Sequence, residues 1–160
     1  MTQATLCLLV KRPAGGHPEI LLAMKKRGFG VGRWNGSGGK FDAEKDKTIL
    51  DTAIRETQEE IGVEVKNLEK FGLFHFTFPH KPEWDQDVHL FLAKEWTGEP
   101  TESEEMMPAW FSFDAIPYES MWPTDIHWLP DVLQGKKMEA SFVFSEGDKV
   151  EKFNIKVLNN

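Results

Sequence analysis

Apolar and polar positions follow two different periods along the chain. Residues 5–10 (TLCLLV) are a short apolar run that predicts a strand. Residues 13–18 are turn chemistry, and 19–24 read as the returning strand of a hairpin. Residues 25–33 (KKRGFGVGR) then form a basic, glycine-rich loop. Such a loop is either a flexible surface segment or a source of cations and backbone amides for phosphates. Lys25 is the side chain best suited to the second role. The period then becomes helical and stops at Gly62. At about 100° per residue, Leu50, Ala53, Ile54, Thr57 and Ile61 gather on one face. Glu56, Glu59 and Glu60 share another face, about 130° away by the same rotation.

Beyond the helix, 71–78 and 88–93 read as strands separated by a Pro-containing loop, and 98–105 is a polar, acidic connection. Residues 110–113 predict a short strand and 114–123 are irregular. Residues 124–133 predict a second helix, with Thr124 or Asp125 near its start and Pro130 disturbing its interior. Residues 139–145 and 150–157 form a C-terminal hairpin around Glu146, Gly147 and Asp148. No repeat, linker or low-complexity tract interrupts the pattern, so 1–160 reads as a single α/β domain with a mixed sheet.

Composition changes this picture in three places. A formal charge of −7 argues against polymeric nucleic acid as a partner, which needs basic surface to neutralise phosphates. It leaves room for a small anionic substrate bridged by metal ions. The one cysteine, Cys7, rules out an internal disulfide and a Cys-rich zinc site, and it suits a reducing compartment. No apolar run approaches membrane-spanning length, and the start lacks a basic region ahead of its apolar run. The expectation is a cytoplasmic protein with no membrane association.

The chemistry concentrates after Gly38 and Gly39. Three carboxylates on one helical face repel one another, and a hard divalent cation relieves that penalty because it prefers oxygen ligands. Glutamates on an exposed helix are ordinarily a solvated face. Two features weigh against that reading here. The glycine pair lets backbone approach a ligand closely, and the acids stand in the fixed order R-E-x-x-E-E-x-G, at Arg55, Glu56, Glu59, Glu60 and Gly62.

That order resembles the signature of the Nudix hydrolases. The flanks MKKRGFGVGRWNGSGGK, DVHLF, ESEEM and MWPTDIHWLP resemble one subgroup, the oxidised purine nucleoside triphosphate hydrolases, and the similarity spans nearly the whole chain. The resemblance implies a Nudix α/β/α sandwich, a mixed β-sheet between helices, and Mg²⁺ as cofactor, with Mn²⁺ as a substitute. It implies hydrolysis of nucleotides such as 8-oxo-dGTP or 2-oxo-dATP to the monophosphate and pyrophosphate, by a monomer. By position, the Gly38 carbonyl, Glu56 and Glu60 would ligate metal. Glu59 and Glu105 would hold a further metal or place the water, and Arg55 would orient carboxylates from behind. The nucleotide would be bound by Thr5, Lys25, Phe29, Asn35, Ser37, Gly38, Gly39, Lys40, Phe76, Trp122, Thr124 and Asp125, with Trp128 beneath. Aromatic faces suit base stacking, Asn35 both donates and accepts, and Asp125 accepts, or donates if burial keeps it protonated. Phe76 on a strand is equally an ordinary core residue.

The chain departs from the family pattern at three places. Lys47 falls where the family carries a glutamate after the glycine turn, in a loop lengthened by about two residues that also offers Glu44. Thr124-Asp125 replaces paired aspartates, which narrows the range of oxidised bases expected. Ser37 replaces a phenylalanine. Hydrolysis of another diphosphate, such as a dinucleotide or nucleotide sugar, is the alternative within the same chemistry. A non-catalytic nucleotide-sensing domain is the alternative outside it, and loss of helix carboxylates would favour that; none of the signature acids is missing.

Overall fold

The structure, a computed structural model, describes residues 1–158. The elements run β1 (Thr2–Lys11), β2 (Glu19–Lys25), β3 (Trp34–Asn35), α1 (Ile49–Ile61), β4 (Glu64–Lys66), β5 (Glu69–Thr77), β6 (Gln86–Ala93), β7 (Glu95–Thr97), β8 (Met106–Ser112), α2 (Asp125–Leu133), β9 (Lys137–Ser145) and β10 (Lys149–Leu158). The main sheet has the order β10-β9-β5-β6-β1-β2-β3, with β8 on the other side of β2, while β4 and β7 form a separate ribbon. The β1–β6 and β5–β9 pairs are parallel and the others antiparallel, so the sheet is mixed.

Strand β1 is apolar throughout because both of its faces are covered. Leu6, Leu8 and Val10 pack with Phe74, Trp128, Leu129, Val132 and Phe142 on the α2 side. Cys7 and Leu9 pack with Ile61, Val63 and Met106 on the α1 side. The result is the expected α/β/α sandwich. No described helix is long and apolar enough to cross a membrane.

Helix α1 ends at Gly62, as its sequence predicts, and begins at a capping box that the sequence analysis did not name. The Thr48 side chain accepts from the Asp51 amide, Asp51 accepts from the Thr48 amide, and Gly62 closes the end at φ 75. Its inward face keeps Ala53, Thr57 and Ile61 of the apolar stripe, with Ile54 packed against the core, but not Leu50. Leu50 is exposed at 38%, whereas Thr52, Ala53, Thr57, Glu60 and Ile61 are buried. Thr52 is held inward by donating to Asp46 Oδ2 at 2.8 Å. The strand expected at 110–113 runs Met106–Ser112 instead, with Phe113 opening a 3-10 turn. Pro108 is tolerated because β8 is an edge strand pairing with β2. Helix α2 runs three residues past Pro130. The carbonyl that loses its partner belongs to Ile126, which is exposed. The short strands β3, β4 and β7 were not among the expected elements, since two or three residues cannot show a period.

Candidate active site

The segment after β3 lies along β1. Cys7 N donates to Ser37 O at 2.6 Å, Ser37 N to Cys7 O at 3.1 Å, and Thr5 N to Gly39 O at 2.9 Å. This close approach demands the glycine pair. A Cβ on Gly38 would drive into the Thr5 carbonyl, and one on Gly39 would drive into the Glu56 carboxylate. The pair thus sits between the central strand and the acidic helix.

Arg55 organises the helix from behind. Its Nε and Nη2 each donate to Asp46 at 2.8 Å, and Nη1 donates to Glu56 Oε1 at 2.9 Å and Glu59 Oε2 at 3.3 Å. The guanidinium holds the buried Asp46 carboxyl well below the usual carboxylate range. Neither candidate from the lengthened loop takes this place: Glu44 and Lys47 are exposed, and the acid facing Arg55 is Asp46. Sequence reasoning missed it because positional alignment points one residue further along, to Lys47. Its signal was a short acid nine residues before Arg55, within reach of a folded-back loop. Asp46→Asn is expected to lower Tm by about 5 °C, since it leaves Arg55 with a partly buried, uncompensated charge. It should also slow turnover, because a freed Arg55 holds Glu56 and Glu59 more tightly. Thermal unfolding beside pyrophosphate release checks both.

Glu60 stands apart from its neighbours. It is 8% exposed, and its Oε2 has no hydrogen-bond partner. Burial first, and then the charge of Glu56, pushes its pKa up to about 8. Burial also raises Glu56. Among the described residues no three acidic, His or Cys groups form a ready-made metal cage. The geometry gives the reason: Arg55 engages Glu56 and Glu59, while Arg27 Nη2 lies 3.6 Å from Glu105 Oε1. These arginines and four glutamates, Glu56, Glu59, Glu60 and Glu105, lie at or beside one acidic cleft, which Arg27, Ser103 and Glu104 also line.

A cavity of about 330 Å³ adjoins this cleft. Thr5, Lys25, Phe29, Asn35, Gly38, Gly39, Lys40, Phe76, Trp122, Thr124, Asp125 and Trp128 all line it, as expected, and so does Glu60, which borders both spaces. Ser37 does not line it. Its side chain is buried beside β1, where its backbone pairs with Cys7. Phe78, Phe144, Gln86 and Arg33 also line the cavity, unforeseen. Phe78 and Phe144 offered no sequence signal beyond core aromatics. Arg33 lies 4.2 Å over the Trp122 ring and donates to the Met121 carbonyl, which fixes that ring in the wall.

At the floor, Asp125 is 5% exposed. Its Oδ1 accepts from Thr124 Oγ1 at 3.2 Å, and its Oδ2 has no partner. Burial pushes this carboxyl up to about 7, against the pull of Thr124 and of the nearby Trp128 indole, whose Nε1 completes no hydrogen bond. Unpaired buried polar atoms are costly. Two of them belong to residues that line the cavity.

Comparison with known proteins agrees with this geometry. A NUDIX domain model matches residues 1–132. The oxidized purine nucleoside triphosphate hydrolase of Mus musculus is 46% identical over 142 residues, which cover 89% of this chain and 89% of the mouse protein. That of Danio rerio is 47% identical over 132 residues, covering 82% and 83% respectively. The crystal structure of a MutT protein from Bacillus halodurans matches with a TM-score of 0.83 at 26% identity, covering 98% of each chain. With a signature helix, a sandwich fold and a domain match that all coincide, the chain belongs to the Nudix hydrolase family.

Proposed function

We propose that this protein hydrolyses oxidised purine nucleoside triphosphates, of the 8-oxo-dGTP and 2-oxo-dATP type, to the monophosphate and pyrophosphate. The observation that carries the reading is Glu60, a buried carboxyl with Oε2 unpartnered, shared by an aromatic cavity and an acidic cleft. A phosphate tail leaving a purine in the cavity passes it. The names of the mouse and zebrafish relatives support the same substrate class.

The residues present fit a hard divalent cation, Mg²⁺ with Mn²⁺ as a substitute. The donors are all oxygen, and Glu60 Oε2 lacks any other partner. The Gly38 carbonyl, Glu56, Glu59, Glu60 and Glu105 would hold it. Bound there, such a cation neutralises phosphate oxygens and lowers the pKa of a coordinated water. The remaining work belongs to side chains of this chain. Arg55, pinned by Asp46, orients Glu56 and Glu59. Lys25 and Arg27 bring cations to the tail. Trp122 and Phe29 offer faces to the base, and Asn35 and Asp125 read its edge.

Thr124 gives this pocket one carboxyl where two were expected to be the rule. Its hydroxyl occupies Asp125 Oδ1 and leaves Oδ2 free. Oxidation at C8 turns N7 of a purine from an acceptor into an N–H donor, which a carboxylate oxygen can accept. Asp125→Asn is therefore expected to lower kcat/KM for 8-oxo-dGTP by about 10²-fold and that for dGTP by much less. The reading as a whole is tested by pyrophosphate release across normal and oxidised nucleotides, with a dinucleotide and a nucleotide sugar alongside. Oxidised purines should exceed dGTP by at least tenfold in kcat/KM, about 1.4 kcal/mol. Equal rates on dGTP, or a preference for the dinucleotide, defeat it. The acidic surface and single buried Cys7 support a cytoplasmic monomer that acts on free nucleotides, without polymeric nucleic acid or membrane as partner.

A further inference from the structure

Phe29, one ring of the aromatic cavity's lining, stands largely exposed on the glycine loop. Phe29 lies between Gly28 at φ 82 and Gly30 at φ 83, in a loop that also contains Gly32 at φ 84, and it is 60% exposed. It packs against two rings. Trp122, with centroids 5.2 Å apart, belongs to the cavity wall. Trp84, at 5.6 Å, stands outside it.

Trp84 comes from the connection between β5 and β6, and that connection is braced. Asp85 Oδ1 accepts from Phe78 N at 2.7 Å, Trp84 N donates to Lys81 O at 2.9 Å, and Lys81 Nζ sits 4.2 Å over the Trp84 ring. Trp84 also meets Phe78 edge-on at 5.7 Å, and Phe78 stacks on Phe144 at 4.9 Å inside the cavity. The Phe29 loop has turn bonds of its own, Val31 N donating to Gly28 O at 3.2 Å and Gly32 N to Lys25 O at 2.8 Å, so two braced loops bring their rings together beside the pocket. At 38% exposure Trp84 adds little to the core.

We propose that Trp84 is a positioning residue for the nucleotide: it backs Phe29 from outside the cavity, a latch that keeps that ring beside Trp122 and against a bound purine. The inference rests on the nucleotide reading of the cavity. Trp84 lines neither the cavity nor the acidic cleft, so its contribution is to binding and leaves the chemical step alone. A ring pair of this kind is worth roughly three- to tenfold in an equilibrium constant.

The test compares Trp84→Ala, Trp84→Phe, Phe29→Ala and the Trp84→Ala/Phe29→Ala double variant. Each is assayed for turnover of 8-oxo-dGTP and, by calorimetry, for binding of the product 8-oxo-dGMP. Trp84→Ala is expected to raise KM and weaken monophosphate binding by about three- to tenfold, with kcat within about twofold of wild type. Trp84→Phe should restore binding, and the double variant should bind no worse than Phe29→Ala alone. Unchanged binding in Trp84→Ala overturns the proposal, as does a loss confined to kcat or full additivity in the double variant. If wild type itself binds no purine monophosphate, the nucleotide reading falls and takes the latch with it. If wild type binds normally and Trp84→Ala matches it, the latch alone falls.

Discussion

Replacing Glu60 with glutamine is expected to cut metal-dependent turnover by at least about 10³-fold while leaving the protein folded. Glutamine keeps the shape and loses the negative charge at the one signature acid with a buried oxygen, Oε2, that has no protein partner. A second effect runs in the opposite direction. Burial raises the folded-state pKa of Glu60 to about 8 from an ordinary 4.5, so the fold favours the neutral acid. Its contribution to stability is complete below about pH 4.5 and is lost as pH rises through 8. Glutamine is neutral throughout. Metal-free Glu60→Gln should therefore match wild type near pH 5 and exceed it near pH 9, by a few kcal/mol. Magnesium should raise the Tm of wild type and do so far less in the variant. Thermal unfolding at both pH values, with and without magnesium, reads these differences. A variant that keeps its rate, or that loses stability in alkali faster than wild type, contradicts the role given to this side chain.

Gly38→Ala is expected to produce the largest loss of stability of any single methyl added to the site, about 3 kcal/mol or more. The new Cβ meets the Thr5 carbonyl and lies 3.1 Å from Leu6 Cα. Those atoms belong to β1, the strand covered on both faces, and backbone in that position cannot step aside. Gly39→Ala is the informative contrast. Its added Cβ meets the end of the Glu56 side chain, which can swing away. That variant should keep most of its stability and lose activity, because the carboxylate has left its place. Denaturant unfolding beside a turnover assay separates the two outcomes. Equal stability losses in both variants would mean that the two glycines are not placed as described.

Much of the architecture was legible because each element announces its own ends. The left-handed Gly62 ends α1, and turn residues separate the main strands. The signature acids were legible because spacing alone places them on one helix. What escaped has physical reasons. Periodicity scores apolarity, so it put Leu50 inside and was silent on the burial of Thr52, which donates to Asp46, and of Glu60. Asp46 was invisible because a loop of altered length brings a different residue to Arg55. Ser37 was read as pocket wall, although its backbone pairing with Cys7 seats it beside β1. Phe78 and Phe144 are indistinguishable in sequence from aromatics that face only protein.

The final hairpin has a further bearing on kinship. Phe144, in β9, faces the cavity, and Asp148, at the tip between β9 and β10, reaches Arg33 at 3.4 Å behind Trp122. Both lie beyond residue 132, where the domain match stops. Part of the cavity wall is thus supplied from outside the stretch that the family model matches. Two cousins with the same acidic motif but unlike tails can share a reaction and still differ in diet.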